Sequence, residues 1–227
     1  MLEKPFVVTF DCYGTLVDWE AGITEFLEQV FRERHIKANI AEVLRVREGL
    51  DFELVQGAYR SYREILALSL RGAFTQSGIE YNENDGKRLA ESVPEWPVFE
   101  ETKPALERLA KHSRLVIISN IDRDIIEKTK VKIGVDFDLI ITAEEARAYK
   151  PSTKPFELTL QKLDCGPQNI LHVSSGFRYD IPPASRLGFR TAWVNRKHEI
   201  KPIGVQADHE FESLTELAQF VESLANK

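Results

Sequence analysis

The chain has 227 residues, a formal net charge of −6 and a hydrophobic content of 43%. These values are typical of one folded domain, or of one domain with a smaller insertion. The mildly acidic balance argues against nucleic-acid binding, and no apolar run approaches the length of a membrane span. Two cysteines are too few for a disulfide framework, and Met1–Lys4 shows no signal-peptide pattern. We therefore expect a cytoplasmic protein with reduced thiols.

Short apolar runs recur along the chain at wide spacing and predict β-strands. They are Phe6–Phe10, Leu115–Ser119, Leu139–Thr142, Ile170–Ser174 and Thr191–Val194. Between and after them, a helical period predicts helices over Glu101–His112, Lys154–Leu163, Asp180–Leu187 and Leu214–Leu224. Continuous apolar strands that alternate with helices are typical of an α/β fold, in which helices cover both faces of a parallel sheet.

The stretch from about residue 19 to residue 95 contains helical patterns and no convincing strand. We expect one helix over Trp19–Arg34 and further helix over Glu42–Phe74, interrupted at Gly49 or Gly57. The simplest interpretation is an α-helical cap inserted after the first strand. This divides the chain into a core domain, residues 1–18 and 96–227, and a cap domain, residues 19–95.

Polar side chains stand at the carboxyl ends of the predicted strands, where ligands bind in open α/β sheets. They are Asp11, Ser119, Asn120, Lys150, Ser174, Ser175 and Asp180. A carboxylate at the end of a buried strand is costly without a partner or a role, and a stabilised carboxylate can serve as a nucleophile. We expect Lys150 to supply the counter-charge of Asp11. Ser119, Thr15 and the backbone N–H groups of the turn at residues 13–15 are expected to hold its oxygens.

The order of these residues resembles the haloacid dehalogenase superfamily. The resemblance rests on DCYGTLVD from Asp11, ISN ending at Asn120, Lys150-Pro151, and HVSSGFRYD ending at Asp180. It covers essentially the whole chain. It implies a Rossmann-like, doubly wound parallel sheet as the core, a cap after the first strand, and a mechanism in which Asp11 forms an aspartyl ester.

Two positions look like the type II branch of 2-haloacid dehalogenases. Phosphatases of the superfamily typically carry acids at the positions of Tyr13 and Ser175, which serve the leaving group and a magnesium ion. A tyrosine of ordinary pKa is a poor acid near neutral pH, and fewer carboxylates weaken a site for a hard cation. The branch implies hydrolysis without a cofactor, in which Asp180, with Ser175, holds the water that cleaves the ester. The alternative is a phosphatase of the same superfamily, and that alternative implies magnesium as a cofactor.

The chain departs from that branch at two places. The fourth segment is one residue longer than the typical Ser-Ser-Asn-x-x-Asp and lacks its Asn, and Phe156 is the nearest aromatic where a tyrosine typically follows the lysine. Relatives that open the ring of azetidine-2-carboxylate are therefore a further alternative. A catalytically idle binding protein on the same scaffold is the remaining one, and retention of Asp11, Lys150 and Asp180 argues against it.

The substrate implied is a small carboxylate, contacted by Tyr13, Asn120 and an arginine of the cap. A carboxylate favours the fork of an arginine, and the dehalogenase position early in the cap points to Arg45 first and Arg47 second. Arg60 and Arg63 can share one helix face, and a solvated face is the alternative for each arginine. Association into a homodimer is left open.

The remaining chemistry-bearing residues have structural interpretations. The histidines show no metal-ligand spacing, and His172 lies inside a predicted strand as a core residue. Cys12 is expected to be a core thiol, and Tyr59 and Tyr62 are expected to pack. Asp180 is also a candidate N-cap for the helix that contains Pro182.

Overall fold

The computed structural model describes residues 7–225, so Phe6 of the first predicted strand lies outside the described residues. Within that range, one parallel six-stranded sheet has the order β3-β2-β1-β4-β5-β6. Its strands are β1 (Val7–Phe10), β2 (Arg114–Ser119), β3 (Leu139–Thr142), β4 (Ile170–Ser174), β5 (Arg190–Val194) and β6 (His209–Phe211). The five predicted strands are confirmed, and β6 was not predicted.

Helices connect and cover these strands. In chain order they are α1 (Trp19–Glu33), α2 (Ile40–Leu54), α3 (Tyr62–Gln76), α4 (Glu83–Ser92), α5 (Thr102–Leu109), α6 (Arg123–Ile133), α7 (Ala143–Ala146), α8 (Lys154–Lys162), α9 (Phe177–Arg186) and α10 (Leu214–Ala225). None of the helices in residues 7–225 combines the length and the apolar character that crossing a membrane requires.

The sheet is apolar on both faces because successive residues of a strand point to opposite sides. Val8 and Phe10 of β1 pack into an apolar cluster with side chains of α5, α6 and α10. Val7 packs on the other face, in a cluster that contains Phe156 of α8 and Ala184 of α9. Helices therefore cover both faces, and the predicted Rossmann-like, doubly wound α/β fold is confirmed.

The segment between β1 and α5 is helical, as predicted, and contains α1 to α4. Helix α2 continues through Gly49, and the interruption falls in residues 55–61, which include Gly57. Ser61 and Glu64 form a capping box that starts α3. The boundaries of a core, residues 1–18 and 96–227, and of a cap, residues 19–95, stay a prediction.

The start of α9 differs from the prediction. The helix begins at Phe177, three residues before Asp180, and Gly176 holds the N-cap position. Asp180 therefore lies in the first turn and is not the N-cap. Phe177 packs edge-on against Trp193, with 5.0 Å between ring centroids. This apolar contact favours a helix that starts before its prolines.

Candidate active site

Asp11 lies directly after β1, between two neighbouring strands. Its backbone N–H donates to the carbonyl of Val173 in β4 at 2.9 Å, which extends the β1–β4 pairing by one residue. From β1 the chain continues to β2 on one side of the sheet, and β4 lies on the other side. This is the point where strand order reverses, and such points carry the ligand crevice of open α/β sheets. The residue is buried, with 8% of its surface exposed.

Lys150 lies between two carboxylates. Its ammonium donates to Oδ1 of Asp11 at 2.8 Å, to Oδ1 of Asp180 at 2.6 Å and to the carbonyl of Ile118 at 2.9 Å. Only 1% of Lys150 is exposed. An ammonium has three donors, so the three acceptors account for all of them. The structure thus brings Asp11, Lys150 and Asp180 together as predicted.

The two carboxyls differ in acidity. Burial raises the pKa of the Asp11 carboxyl above its usual range, and attraction to Lys150 opposes this shift without cancelling it. Burial acts on Asp180 in the same direction, but Lys150 and a hydrogen bond from His172 outweigh it, so the pKa of Asp180 is lowered. Asp180 is therefore the carboxyl that ionises first, and its negative charge disfavours ionisation of Asp11.

The turn after Asp11 holds one of its oxygens through a side chain. The hydroxyl of Thr15 donates to Oδ2 of Asp11 at 2.9 Å and accepts from the backbone N–H of Ser175 at 2.9 Å. The turn amides act differently from the expectation, since the N–H groups of Gly14 and Thr15 donate to carbonyls inside the turn. Gly14 has a φ of +102°, a left-handed backbone that favours glycine.

Ser119 and Asn120 line the same cavity as Asp11 but do not bond to it. Asn120 brackets the backbone of Lys150: its amide donates to the Lys150 carbonyl at 3.0 Å, and its oxygen accepts from the Lys150 N–H at 2.7 Å. The hydroxyl of Ser119 is buried without a hydrogen-bond partner among residues 7–225. Ser119 therefore does not hold Asp11, in contrast to the expectation.

Arg196 is a site residue that the sequence analysis missed. Its guanidinium donates to the carbonyls of Gly14 and Thr15, at 3.1 Å and 2.8 Å, and to the hydroxyl of Ser175 at 3.0 Å. Glu101 accepts from Nε and one terminal nitrogen. The arginine therefore joins the turn at residues 13–15 to the turn after β4. The sequence signal was its place two residues after β5, at the same sheet edge as the other polar groups.

The cavity in front of Asp11 measures about 790 Å³. Tyr13, Ser119, Asn120, Lys150, Ser175 and Asp180 line it, together with the α2 residues Arg47 and Asp51. The structure therefore brings Arg47 to the site, where it is buried with 2% exposed. Arg45, the first-named candidate, is exposed and does not line the cavity, because residues two apart on a helix do not share a face. Arg60 and Arg63 also lie outside it.

Arg47 has an acidic partner that the sequence did not indicate. One terminal nitrogen donates to Oδ1 of Asp51, and the hydroxyl of Tyr62 donates to the same oxygen at 3.2 Å. The Nε of Arg47 is buried without a partner among residues 7–225. Tyr62 is thus more than the packing residue that was expected, since it also lines the cavity. The guanidinium retains donors for a second anion.

Tyr13 forms part of the cavity wall. Its hydroxyl bonds to the hydroxyl of Thr129 at 2.9 Å, and its ring packs edge-on against Trp96. Burial raises the pKa of Tyr13 well above its usual range. The phenol is therefore a poor proton donor for a leaving group. Cys12, in contrast, is buried in the core as expected.

Lys150 engages one oxygen of each carboxylate in the site. Oδ1 of Asp11 and Oδ1 of Asp180 both accept from Lys150, which places an ammonium between them. No group of three or more His, Cys, Asp or Glu side chains in residues 7–225 is arranged to hold a metal ion. The ammonium therefore occupies the space in which a magnesium ion would bridge these two Oδ1 atoms.

Several known proteins are similar to this chain in sequence and in fold. The chain is 28% identical over 201 residues to haloacetate dehalogenase H-2 of Moraxella sp. (strain B), which covers 86% of this chain and 88% of the relative. It is 25% identical over 218 residues to the (S)-2-haloacid dehalogenase of Pseudomonas putida, covering 94% and 95% of the two chains. The fold matches the L-2-haloacid dehalogenase of Xanthobacter autotrophicus with a TM-score of 0.82 and 21% identity, over 96% of this chain and 98% of the other.

The family assignment rests on the region that contains most of the site. The model of the haloacid dehalogenase-like hydrolases matches residues 7–188, a span that includes Asp11, Lys150 and Asp180. The chain therefore belongs to the haloacid dehalogenase-like hydrolase family.

Proposed function

We propose that this protein is a 2-haloacid dehalogenase, a hydrolase of small 2-substituted carboxylic acids. The observation that carries the proposal is the Asp11–Lys150–Asp180 arrangement at the floor of the cavity, with Tyr13 where a phosphatase needs an acid. Relatives that align over most of the chain are dehalogenases of haloacetate and of (S)-2-haloacids. The substrate class is taken from them.

The first step is displacement at C2 of the substrate. A carboxylate oxygen of Asp11 attacks C2, the new C–O bond forms, and the halide leaves with the electron pair of the carbon–halogen bond. Lys150 and Thr15 each donate to one oxygen of Asp11, which orients the carboxylate and stabilises its charge. Because the halide is a stable anion, this step needs no proton donor at Tyr13.

The second step is hydrolysis of the aspartyl ester. Asp180 accepts a proton from a water whose oxygen attacks the Asp11 carbonyl carbon. The ester bond then breaks, the product oxygen takes up the proton from Asp180, and the second proton of the water is released to solvent, which restores the carboxylate of Asp11. The lowered pKa of Asp180 keeps the carboxyl ionised, so that it accepts a hydrogen bond from this water. Ser175, whose hydroxyl Arg196 orients, is the proposed second contact of this water.

The substrate carboxylate is assigned to Arg47 and Ser119. Arg47 and Ser119 both line the cavity. The Nε of Arg47 and the hydroxyl of Ser119 are buried, and neither has a hydrogen-bond partner among residues 7–225. Buried donors without partners are costly unless a ligand satisfies them. Tyr13 and Asn120 are proposed as walls that fix the position of C2. We propose no cofactor, since neither step requires one.

A panel of substrates tests the proposal. It contains both enantiomers of 2-chloropropionate, haloacetates, azetidine-2-carboxylate and p-nitrophenyl phosphate, each assayed with EDTA and with magnesium. Halide release that survives EDTA is expected, and the 2-hydroxy acid should be inverted at C2, because only the first step touches that carbon. Phosphate release that depends on magnesium would instead identify a phosphatase. Ring opening alone would assign the azetidine-2-carboxylate alternative.

A further inference from the structure

A buried histidine lies behind the two carboxylates. His172 is in the middle of β4, its side chain is fully buried, and its ring packs edge-on against Phe156 with 5.0 Å between centroids. The sequence analysis expected a core histidine, and the structure shows a buried ring in which each nitrogen has a hydrogen-bond partner. Nδ1 lies 2.8 Å from the hydroxyl of Thr9, and Nε2 lies 2.8 Å from Oδ1 of Asp180. One partner is thus a residue of the site.

The carboxylate of Asp180 determines that Nε2 of His172 carries a proton. An ionised carboxylate only accepts hydrogen bonds, so Nε2 donates to Oδ1 of Asp180. The second hydrogen bond joins Nδ1 to the hydroxyl of Thr9. Hydrogen bonds therefore link Thr9, His172 and Asp180 in a chain.

These contacts fix the orientation of one carboxylate oxygen. Oδ1 of Asp180 accepts from His172 at 2.8 Å and from Lys150 at 2.6 Å. Oδ2 makes no hydrogen bond to residues 7–225 and lies near Gly176, where an added Cβ would come within 3.4 Å of it. With two donors on Oδ1, rotation of the carboxyl would break both bonds. Oδ2 is therefore the oxygen left to accept from a water.

We propose that His172 is a positioning residue for the second step, which holds Asp180 so that Oδ2 receives the hydrolytic water. This inference rests on the proposed function. It separates the two steps, because Asp11 attacks C2 with the help of its donors Lys150 and Thr15, and Asp180 accepts no proton in that step. His172 contacts neither Asp11 nor Thr15 by a hydrogen bond. Its loss should therefore slow ester hydrolysis and spare halide release.

Two amide substitutions distinguish positioning from packing. In His172→Gln the amide nitrogen reaches about as far as Nε2 and can still donate to Asp180. In His172→Asn the shorter amide reaches only the place of Nδ1. Both replace the ring by an amide, so they disturb packing against Phe156 in similar ways. Only the asparagine variant loses the hydrogen bond to the site.

The measurement follows both steps with a 2-haloacid from the panel. Rapid mixing records the first turnover of halide, and intact-protein mass spectrometry records the decay of the aspartyl ester. We expect His172→Asn to slow ester decay roughly ten-fold or more, with the first turnover of halide within two-fold of wild type. In steady state kcat and KM should fall together, and kcat/KM should stay nearly constant. His172→Gln should recover most of the ester decay.

A second pair of variants tests the other end of this chain of hydrogen bonds. Thr9→Val removes the hydroxyl that bonds to Nδ1, with little change of shape. Thr159→Val is its control, since Thr159 is equally buried and its hydroxyl donates only to the Pro155 carbonyl within α8. We expect ester decay to be slower in Thr9→Val than in wild type and unchanged in Thr159→Val. This pair decides the matter if His172→Asn does not fold.

The outcomes separate the inference from the proposed function. Ester decay at the wild-type rate in both His172→Asn and Thr9→Val would overturn the inference and leave the dehalogenase standing. Equal slowing of halide release and ester decay in His172→Asn, without recovery in His172→Gln, would also overturn it, because a purely structural role acts on both steps. Absence of halide release from every haloacid of the panel would overturn both.

Discussion

The ammonium of Lys150 lies 2.8 Å from Oδ1 of Asp11, although 139 positions separate the two residues in the chain. Both residues are buried. The lysine is the only donor that Asp11 and Asp180 share among residues 7–225. Stability and chemistry therefore depend on the same side chain.

The first prediction concerns that dependence. Lys150→Met should abolish turnover and lower the free energy of unfolding by about 3–5 kcal/mol, because it leaves two buried carboxylates without their counter-charge. Lys128→Met is the control, since Lys128 is exposed on α6. Urea unfolding at neutral pH measures both. A Lys150→Met protein as stable as the control would show that the buried charges are satisfied in another way.

The pH dependence of the first step follows from the acidity of Asp11. Burial raises the pKa of this carboxyl, and only its ionised form attacks C2. The rate is therefore present above that raised pKa and is lost as the pH falls through it. We expect the acid limit of kcat/KM for 2-chloropropionate to lie above the ordinary aspartate value of about 3.9. A rate that stays constant below that value would contradict the assigned environment of Asp11.

The two arginines of α2 form a matched pair. Arg47→Lys keeps the charge but loses the planar fork, and it should lower kcat/KM by roughly ten- to a hundred-fold. Arg45→Lys should leave it unchanged, because Arg45 is exposed and outside the cavity. Steady-state kinetics with 2-chloropropionate distinguish them. Equal rates for both variants would place the substrate carboxylate elsewhere.

Arg196 should act through the turns that it joins. It donates to the carbonyls of Gly14 and Thr15, to Ser175 and to Glu101, and the three donors of a lysine cannot serve all four. We expect Arg196→Lys to lower kcat roughly ten-fold, the effect of one or two lost charge-assisted hydrogen bonds. Arg186→Lys, at an exposed position of α9, is the control. If the two variants have the same kcat, the Arg196 contacts do not position the turn at residues 13–15.

The sequence predicted what depends on local pattern and on strand ends. Apolar runs located β1 to β5, and parallel strands place their carboxyl ends at one edge, so the meeting of Asp11, Lys150 and Asp180 could be foreseen. Strand β6 was missed because its three residues, His209–Phe211, are too few and too polar to form an apolar run. The start of α9 was misplaced because the prolines were taken to mark its first turn.

Contacts between distant side chains could not be predicted in this way. To predict the hydrogen bond between His172 and Asp180, one must know both the direction in which a side chain of β4 points and the position of the first turn of α9. Arg47 was preferred over Arg45 only when the register of α2 against the cavity was known. The Arg47–Asp51 pair has helical spacing, but that spacing is equally typical of solvated surface pairs. Burial, which the sequence does not give, makes the difference.

The central claim is that Asp11 is a covalent nucleophile, and one turnover in ¹⁸O-water tests it most directly. With enzyme in excess over a 2-haloacid, the covalent route moves an Asp11 oxygen into the product, and solvent oxygen refills the carboxylate. The account predicts a hydroxy acid that is mostly unlabelled and an Asp11 peptide that carries ¹⁸O. A labelled hydroxy acid with an unlabelled Asp11 peptide would contradict the account, because water would then attack C2 directly.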